Sequence, residues 1–583
     1  MSAQRTPGLS CRSRVVGLIS VLSSLLLSVA IVAAAAPQPA EALIRAQIKT
    51  GEFAPALAAV RSIPNLERRD ALLGQIAVAQ AQAGVREASL NTAAEIRGDR
   101  ARAHTLSQVQ NQPLGAPGGG SMADFDSLID LIQNTVAPDS WLDAGGAGTI
   151  EPYATGVDVN PQGVLRPLVR PEAAGELAAL RRSSAPGGLR GKARQPSPLR
   201  KVSLTRLEKQ VQLRLAAGRL PTEEMEVLAG LQRVRYLFLY PESGDVVLAG
   251  PAGNWRTGPE NRVLSAETGR PVVRLDDLVV VLRQAMTAPD ARFGCMITPR
   301  QEGLARVQAF LARPMPPGGR KAWIEQLRAQ LGRQDIEVYG LDPRTRAARV
   351  LVEADYRMKL VGMGLEEGVP GVESYLELVK VPPGKTPPPF GVIRWWFTLN
   401  YDAVLASADR RAFALRGQGV KVLSENEKLT AEGKRVHTGQ SEPWTRRFAE
   451  SFTEQFEAIC EKYPIYADLR NVFDLALVSA LIRQEKMPEK VDWHLTCFGD
   501  GGSYPVALGA VPRSVDSVVN YRVIQDPAFG LVHTVVGVSG GVRCDPAPMA
   551  NRAAVTAQTD GALGKQQSGA VPGQLPGDAW WWD

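Results

Sequence analysis

The sequence predicts an α+β protein, with a two-lobed mixed α/β region preceded by a short all-α, tetratricopeptide-like helical block. Apolar period-two segments alternate with amphipathic helical segments after residue 202, and the chain before residue 110 is Ala-rich with helical spacing. Stretches rich in Pro, Gly or Arg separate these regions. The predicted order is a signal peptide (1–42), a helical repeat-like block (43–110), a Pro/Gly linker (111–123), a short α/β segment (124–160), a basic disordered linker (161–201), a first α+β lobe (202–381), a proline spacer (382–390), a second α+β lobe (391–545) and a disordered tail (546–583). The alternative for the spacer is a loop within a single lobe.

The amino-terminal residues predict export. Arg5, Arg12 and Arg14 precede an apolar run over 15–36, and Ala40-Glu41-Ala42 provides a small-residue cleavage site. We therefore expect a periplasmic or cell-envelope protein whose mature chain begins near Leu43. The alternative is that 15–36 is retained as a membrane anchor, because the run is about long enough to span a bilayer.

The next block combines helical spacing with an internal repeat. Ala46-Gln47, Gly51, Leu57 and Ile63 recur 33 positions later as Ala79-Gln80, Gly84, Leu90 and Ile96. This offset predicts two helix-turn-helix pairs with Gly51 and Gly84 at the turns. Two pairs form an incomplete stack, so we expect the block to dock on another surface. Coincidental Ala-rich periodicity is the alternative.

The formal charge of +7 is concentrated in one segment. The folded parts then carry no net basic field of the kind that nucleic-acid binding needs, and we predict no nucleic-acid partner. The segment is either a solvated linker or a tether to an anionic polymer or membrane. Its basic residues are Arg181, Arg182, Arg190, Lys192, Arg194, Arg200 and Lys201.

A short segment follows the Pro/Gly linker. Helical spacing over 125–132, the run Ala137-Pro138-Asp139-Ser140-Trp141 and a Gly-rich turn at 145–148 precede Ile150. The segment resembles the amino-terminal modules of secretin-like proteins, which implies a small α+β unit. The match stops near Val159, where the Pro/Arg-rich stretch begins.

The main region alternates helices and strands. Residues 234–240 and 245–248 predict a hairpin over Pro241-Glu242-Ser243-Gly244. The spacing predicts further helices over 204–217, 222–231, 275–286, 302–312, 322–331 and within 443–484, and extended segments over 293–297, 336–339, 349–353 and 392–397.

Three separated motifs, at 354–366 with 374–377, at 464–482 and at 538–542, resemble a planctomycete-type exported family classed only as a domain of unknown function. The resemblance spans roughly 202–544. It implies an exported α+β domain and supplies no catalytic residue.

No pattern predicts a catalytic, cofactor or metal site. Gly537-Val538-Ser539-Gly540-Gly541 follows an apolar strand, as a nucleophile elbow would, but no histidine follows Ser539 along the chain. His494, Cys497 and Asp500 have ligating side chains, yet strand alternation over 493–498 places His494 and Cys497 on opposite faces.

Cleavage of the signal leaves Cys295, Cys460, Cys497 and Cys544, which allow three two-bridge connectivities. We predict a Cys497–Cys544 disulfide because both residues are expected among the carboxy-terminal strands. Cys295 and Cys460 fall on apolar faces and can equally be buried thiols.

Tryptophans are the remaining candidate contacts. Trp395 and Trp396 must point to opposite faces of one strand, so at most one is exposed. The Ala/Gly/Gln/Pro-rich tail ends in Trp580, Trp581 and Trp582, which are either a docking segment that contacts a partner or the end of a tail without function.

Two functions fit this sequence. The first is a non-catalytic exported envelope or periplasmic protein that contacts envelope or secretion-associated proteins. The alternative is an exported hydrolase or carbohydrate-active enzyme with an unrecognised site in 202–545.

Overall fold

The chain forms two compact units, residues 1–116 and 117–583. The computed structural model describes residues 39–83, 85–110, 149–153, 156–160, 193–258, 262–288, 290–313, 320–379, 391–430, 432–510, 513–526, 530–558, 561–568 and 571–583. Several predicted features lie outside these ranges: the apolar run 15–36, the turn at Gly84, the linkers over 111–123 and 161–192, the helix over 125–132 and the spacer 382–390. Within them, no helix is long and apolar enough to cross a membrane.

The first unit is helical, as predicted. Its helices are paired: Gly51 takes a left-handed φ of +80° at the turn between the first two, where a side chain would be strained. Arg61 donates to the carboxylate of Glu95, which ties the second helix to the fourth. A small core of its own includes Ile44, Val60 and Ile76. The helices are α1 (Pro39–Thr50), α2 (Phe53–Arg61), α3 (Leu66–Gln82), α4 (Arg86–Glu95) and α5 (Asp99–Gln110).

The second unit confirms the predicted α+β class. Its helices are α6 (Leu204–Ala216), α7 (Glu223–Glu226), α8 (Leu275–Thr287), α9 (Gln301–Leu311), α10 (Arg320–Leu331), α11 (Arg346–Gly362), α12 (Tyr375–Leu378), α13 (Pro443–Glu454), α14 (Phe456–Lys462), α15 (Pro464–Gln484), α16 (Met487–Lys490), α17 (Ala547–Ala550) and α18 (Ala562–Gln567). Its strands are β1 (Thr149–Tyr153), β2 (Gly156–Asn160), β3 (Ser197–Ser203), β4 (Tyr236–Tyr240), β5 (Asp245–Ala252), β6 (Trp255–Thr257), β7 (Val263–Ser265), β8 (Phe293–Pro299), β9 (Arg333–Tyr339), β10 (Gly391–Asn400), β11 (Ala403–Ser407), β12 (Ala412–Arg416), β13 (Gly419–Leu429), β14 (Arg435–His437), β15 (Ser514–Asp516), β16 (Val519–Asp526), β17 (Gly530–Cys544), β18 (Thr556–Gln558) and β19 (Trp581–Trp582).

Two large sheets organise this unit. The first has the order β14-β13-β10-β17-β8-β9-β15, with β16 also paired to β17. The second has the order β18-β11-β12-β4-β5-β3-β19. The predicted hairpin is confirmed as β4 and β5, which pair antiparallel from Tyr236 with Ala249 to Tyr240 with Asp245.

The proline spacer does not divide two lobes. Strands β8 and β9 precede the spacer, yet they pair in one sheet with β10 and β17, which follow it. The second sheet likewise joins β4 from before the spacer to β12 from after it. The predicted boundary is therefore wrong, because strand pairing crosses it in both sheets.

Helix α15 lies inside the core, with every residue from Ile465 to Ile482 buried. A helix that is buried on all sides has no solvent-exposed face to orient it. Its packing is instead oriented by buried polar residues, among them Asp468 and Asp474, whose partners lie on other elements.

The basic linker was predicted to extend to residue 201, but an ordered strand begins before that residue. Strand β3 begins at Ser197 and pairs with β5, and Arg200 within it is fully buried. The Arg200 guanidinium donates to the backbone oxygen of Ala229 at 2.8 Å and to the side-chain carboxylate of Asp583 at 2.9 and 3.0 Å. This arginine is a structural cation of the sheet rather than part of a solvated linker.

The predicted disordered tail is also wrong. Strand β18 pairs with β11 and β19 pairs with β3, so the tail supplies both edge strands of the second sheet. Trp580 and Trp582 are buried, and the ring of Trp581 lies 4.6 Å from the Arg200 guanidinium carbon. The three tryptophans contact their own sheet because β19 pairs with β3 and an apolar cluster lies beside this edge.

We expect Trp582→Ala to lower the free energy of unfolding by about 3–5 kcal/mol, because it opens a cavity beside Phe238 and Val247. Trp581→Ala removes a partly exposed cation–π contact and should cost only about 0.5–2 kcal/mol. Urea unfolding followed by circular dichroism measures both. If both variants lowered the free energy of unfolding by similarly small amounts, the packing of the tail against this sheet would be contradicted.

Candidate functional site

Ser539 lies inside strand β17, between β10 and β8 in the first sheet. It is fully buried, and its hydroxyl donates to Oε2 of Glu427 on β13 at 3.0 Å. A nucleophile elbow requires a sharp strand-to-helix turn that exposes the hydroxyl. The chain instead continues as a strand to Cys544.

The groups around Ser539 have the wrong order for a catalytic triad. Glu427 accepts from Ser539 and lies 3.2 Å from Arg435 and 3.4 Å from Nδ1 of His437. The carboxylate therefore separates the hydroxyl from the imidazole, whereas a triad places the imidazole between them. His437 lies mostly in solvent and also approaches Glu425 at 3.2 Å.

Glu425 shows how this cluster is stabilised. Burial opposes its ionisation, but the backbone N–H of Gly439, at 2.7 Å, the His437 ring and the charge of Arg394 together lower its pKa. These groups stabilise the ionised form of the Glu425 carboxylate. The cluster is a polar connection between β10, β13, β14 and β17.

The glycine beside Ser539 serves close packing on the opposite sheet face. A Cβ on Gly540 would lie 2.1 Å from the backbone oxygen of Trp395 on β10, 2.8 Å from Oδ1 of Asp355 and 2.9 Å from Cε of Lys359. All three distances are too short for ordinary contact. The glycine therefore makes room for the neighbouring strand β10 and for helix α11.

Helix α11 contains the most deeply buried ion pair described. Nζ of Lys359 lies 2.7 Å from Oδ2 of Asp355, and both side chains are fully buried. Lys359 also donates to the backbone oxygen of Ile297 on β8 at 3.3 Å. The pair thus joins α11 to the first sheet.

Burial dominates the protonation of this pair. It raises the pKa of Asp355 despite the nearby ammonium, and it lowers the pKa of Lys359 despite the nearby carboxylate. Burial and Asp355 also raise the pKa of the neighbouring Cys295 thiol. Full burial and the contact with β8 favour a structural role for these groups.

The predicted extended segment at 349–353 belongs to this same helix. Thr345 caps its start by accepting from the N–H of Ala348 at 3.3 Å, and the helix continues to Gly362. The apolar run Val350-Leu351-Val352 suggested a strand, but the capped helix buries it fully. The outer face of α11 carries Tyr356 and Leu360, which line a pocket.

A second ion-pair network surrounds the start of α11. Asp468 on α15 binds Arg262 at 2.5 Å and Arg346 at 2.7 Å. Arg346 also binds Asp277 on α8, and Arg262 binds Glu353 at 2.5 Å. Two guanidinium groups thus face three carboxylates. Burial raises the pKa of Asp277 to about 6, against the opposing effect of Arg346.

The predicted strand over 493–498 is a loop, and its ligating residues diverge. Glu208 on α6 accepts the backbone N–H groups of Cys497 at 2.6 Å and Phe498 at 2.7 Å. His494 faces Asp492 at 2.9 Å. Within the described residues, no group of three or more His, Cys, Asp or Glu is arranged to hold a metal ion. No local pattern in the sequence predicts the role of Glu208.

The predicted Cys497–Cys544 disulfide is wrong. Both residues are described, and both are buried thiols with no bond between them. Cys544 ends β17 opposite Phe293, whereas Cys497 lies in the loop that Glu208 holds. The prediction failed because Cys497 is not in a strand.

The prediction for the tryptophan pair is confirmed. Trp395 is fully buried, and its indole N–H donates to the backbone oxygen of Thr445 at 3.1 Å. Trp396 points to the other face, where the Arg394 guanidinium lies 4.8 Å from its ring centre.

Part of the second unit matches a known family model. Residues 295–375 match the model of a family described as a protein of unknown function (DUF1598). No curated protein and no solved structure matches the chain. The matched segment runs from β8 into α12 and contains Asp355, Lys359 and most of the pocket wall. It supports the resemblance to a domain of unknown function.

We expect Lys359→Met to lower the free energy of unfolding by about 3–5 kcal/mol at pH 7, because Asp355 is left buried without its cation. The folded-state pKa of Asp355 then lies even further above its unfolded value near 3.9. Between that folded-state pKa and about pH 4, the folded variant therefore binds more protons than the unfolded variant. Its loss of stability relative to the wild type becomes smaller as the pH falls through this range. Guanidinium unfolding at several pH values measures this effect.

The double variant Asp355→Leu/Lys359→Met removes both charges and should recover most of the loss. A single variant with wild-type stability would show that the pair is not buried as described.

Ser539→Ala should lower the free energy of unfolding by only about 1 kcal/mol, because Arg435 still pairs with Glu427. A fluorophosphonate probe, which labels activated serines, should leave the wild-type protein unmodified. Labelling that disappears in Ser539→Ala would instead identify a nucleophile.

Proposed function

We propose that this is a non-catalytic exported protein of the cell envelope whose helical unit contacts other proteins. The observation that carries the proposal is the separate first unit, built from paired helices around its own core. Arrays of helix pairs present extended surfaces that suit protein recognition. Envelope or secretion-associated proteins are the expected partners.

Two further observations support this function. The serine in the Gly-x-Ser-x-Gly motif is buried against Glu427, which favours a structural role over hydrolysis. The sequence of 1–42 has the pattern of an export signal. If 15–36 is retained, or if the basic residues of 161–192 reach an anionic surface, the protein also contacts the membrane.

The surface of the helical unit provides positions for a test. Leu66, at the start of α3, is 48% exposed, and Val85, before α4, is 47% exposed. When a partner covers large apolar side chains in such positions, the free energy is lowered. Gln108 on α5 is exposed and polar, and it serves as the matched control position.

A photo-crosslinking amino acid at Leu66 or Val85 of the full chain, expressed in its own cells, should give a discrete adduct in the envelope fraction. The same group at Gln108 should give much less. Leu66→Ser should reduce the adduct formed from Val85 by about tenfold, since removing an apolar contact costs about 1.5–3 kcal/mol.

Equal labelling from all three positions, or no adduct from either apolar position, would contradict a contact through this unit. Recovery of the chain only in the cytoplasm would contradict export. Amino-terminal sequencing of the envelope form distinguishes a chain that begins near Leu43 from one that retains 15–36.

A further inference from the structure

A pocket of about 470 Å³ lies between α10, α11 and the segment 516–519 that joins β15 to β16. Its volume falls within the range of small-molecule sites. Helices α10 and α11 both belong to the segment that matches the family of unknown function. The pocket lies within the second unit and is independent of the role proposed for the helical unit.

Apolar side chains form one side of the pocket. Leu360 and Val518 line it, and Leu365 at its rim is 46% exposed although it is large and apolar. Covering such a rim removes apolar surface from water. This side fits a hydrocarbon or aromatic body.

Three side chains that line the pocket are hydrogen-bond donors: Tyr356, which is partly buried, and Arg328 and Arg333, which are exposed. The Tyr356 hydroxyl makes no hydrogen bond with the described part of the chain, and burial, together with the charge of Asp516, raises its pKa, so it remains a donor. Arg328 is held in position by donating to the backbone oxygen of Val519 at 3.2 Å. Arg333 is held in the same way by the backbone oxygen of Ser514 at 2.6 Å.

The acceptors at the pocket are the groups most open to solvent. Glu325 lies 3.3 Å from Arg328 and its side chain is 58% exposed, and Asp516 lies 3.2 Å from Arg333 and its side chain is 73% exposed. Exposed pairs of this kind contribute at most about 1 kcal/mol each. An incoming anion can therefore replace either carboxylate at little cost.

We propose that this pocket binds a small amphipathic anion, with a carboxylate or phosphate head against Arg328, Arg333 and Tyr356 and an apolar body against Leu360 and Val518. Guanidinium groups bind such heads in bidentate geometry, and the phenol adds a third donor. A neutral molecule of the same length would bring no charge to replace Glu325 and Asp516 beside these arginines.

The test is equilibrium dialysis of decanoate and of dodecyl phosphate with the full chain, with decanol and acetate as probes that lack the head or the body. Decanoate or dodecyl phosphate should bind saturably, and decanol and acetate at least tenfold more weakly. Tyr356→Phe and Arg328→Gln should each weaken binding about tenfold, as expected for the loss of a hydrogen bond to a charged group.

Arg344→Gln is the matched control, because Arg344 forms a similar exposed pair with Asp342 away from the pocket. It should bind like the wild type. Co-sedimentation with phosphatidylglycerol vesicles then distinguishes a bilayer source of the head group from a soluble amphiphile, and Tyr356→Phe should weaken whichever mode occurs.

Absence of saturable binding by both anions would overturn the proposal. So would decanol binding as tightly as decanoate, or an equal loss in Arg344→Gln. Tyr356→Phe changes a single hydroxyl, and an unchanged melting temperature confirms that any lost binding reflects the pocket.

Discussion

The second unit depends on the pairing of charges along its central helix. Helix α15 is surrounded by apolar residues, yet it carries Asp468 and Asp474. An ionised carboxylate in such surroundings is costly unless cations and donors meet it. Asp468 pairs with Arg262 and Arg346. Asp474 pairs with Arg233 at 2.9 Å, and these two residues are 241 positions apart in the chain. Apolar packing alone would tolerate several rotations of the helix, whereas these pairs select one. We infer that these ion pairs contribute more to the uniqueness of the fold than to its net stability.

The sequence predicted elements whose signals are local. The hairpin over 234–248 was predicted because a turn separates two apolar runs, and α8 because its apolar spacing is strongly helical. The run Val350-Leu351-Val352 was misread because a short buried run looks alike in a helix and in a strand. The tail was misread because its composition supports no core of its own, while its partners β3 and β11 lie far away in the chain. Pairing between distant segments leaves no local pattern to recognise.

For the candidate site, too, the sequence predicted what depends on local chain order and missed what depends on strand pairing. The absence of a histidine after Ser539 correctly argued against a nucleophile elbow, since that argument needs only chain order. The partner Glu427, 112 residues before it, could not be inferred without strand pairing. Asp355 and Lys359 did carry a usable signal. They are four residues apart on the apolar face of α11, where a lone charge would be unfavourable, and such spacing is typical of an ion pair.

The edge strands of the second sheet have a consequence for how the chain reaches its final form. Both β18 and β19 come from the last part of the sequence, and β19 pairs with β3, almost four hundred residues earlier. A contact between such distant residues forms slowly, because a long loop must close first. Until residues beyond 556 have been synthesised, β3 and β11 remain exposed edges that other strands can join. The interval between synthesis of β3 and arrival of β19 is thus when this protein is most vulnerable to aggregation, and chaperone protection would matter most then.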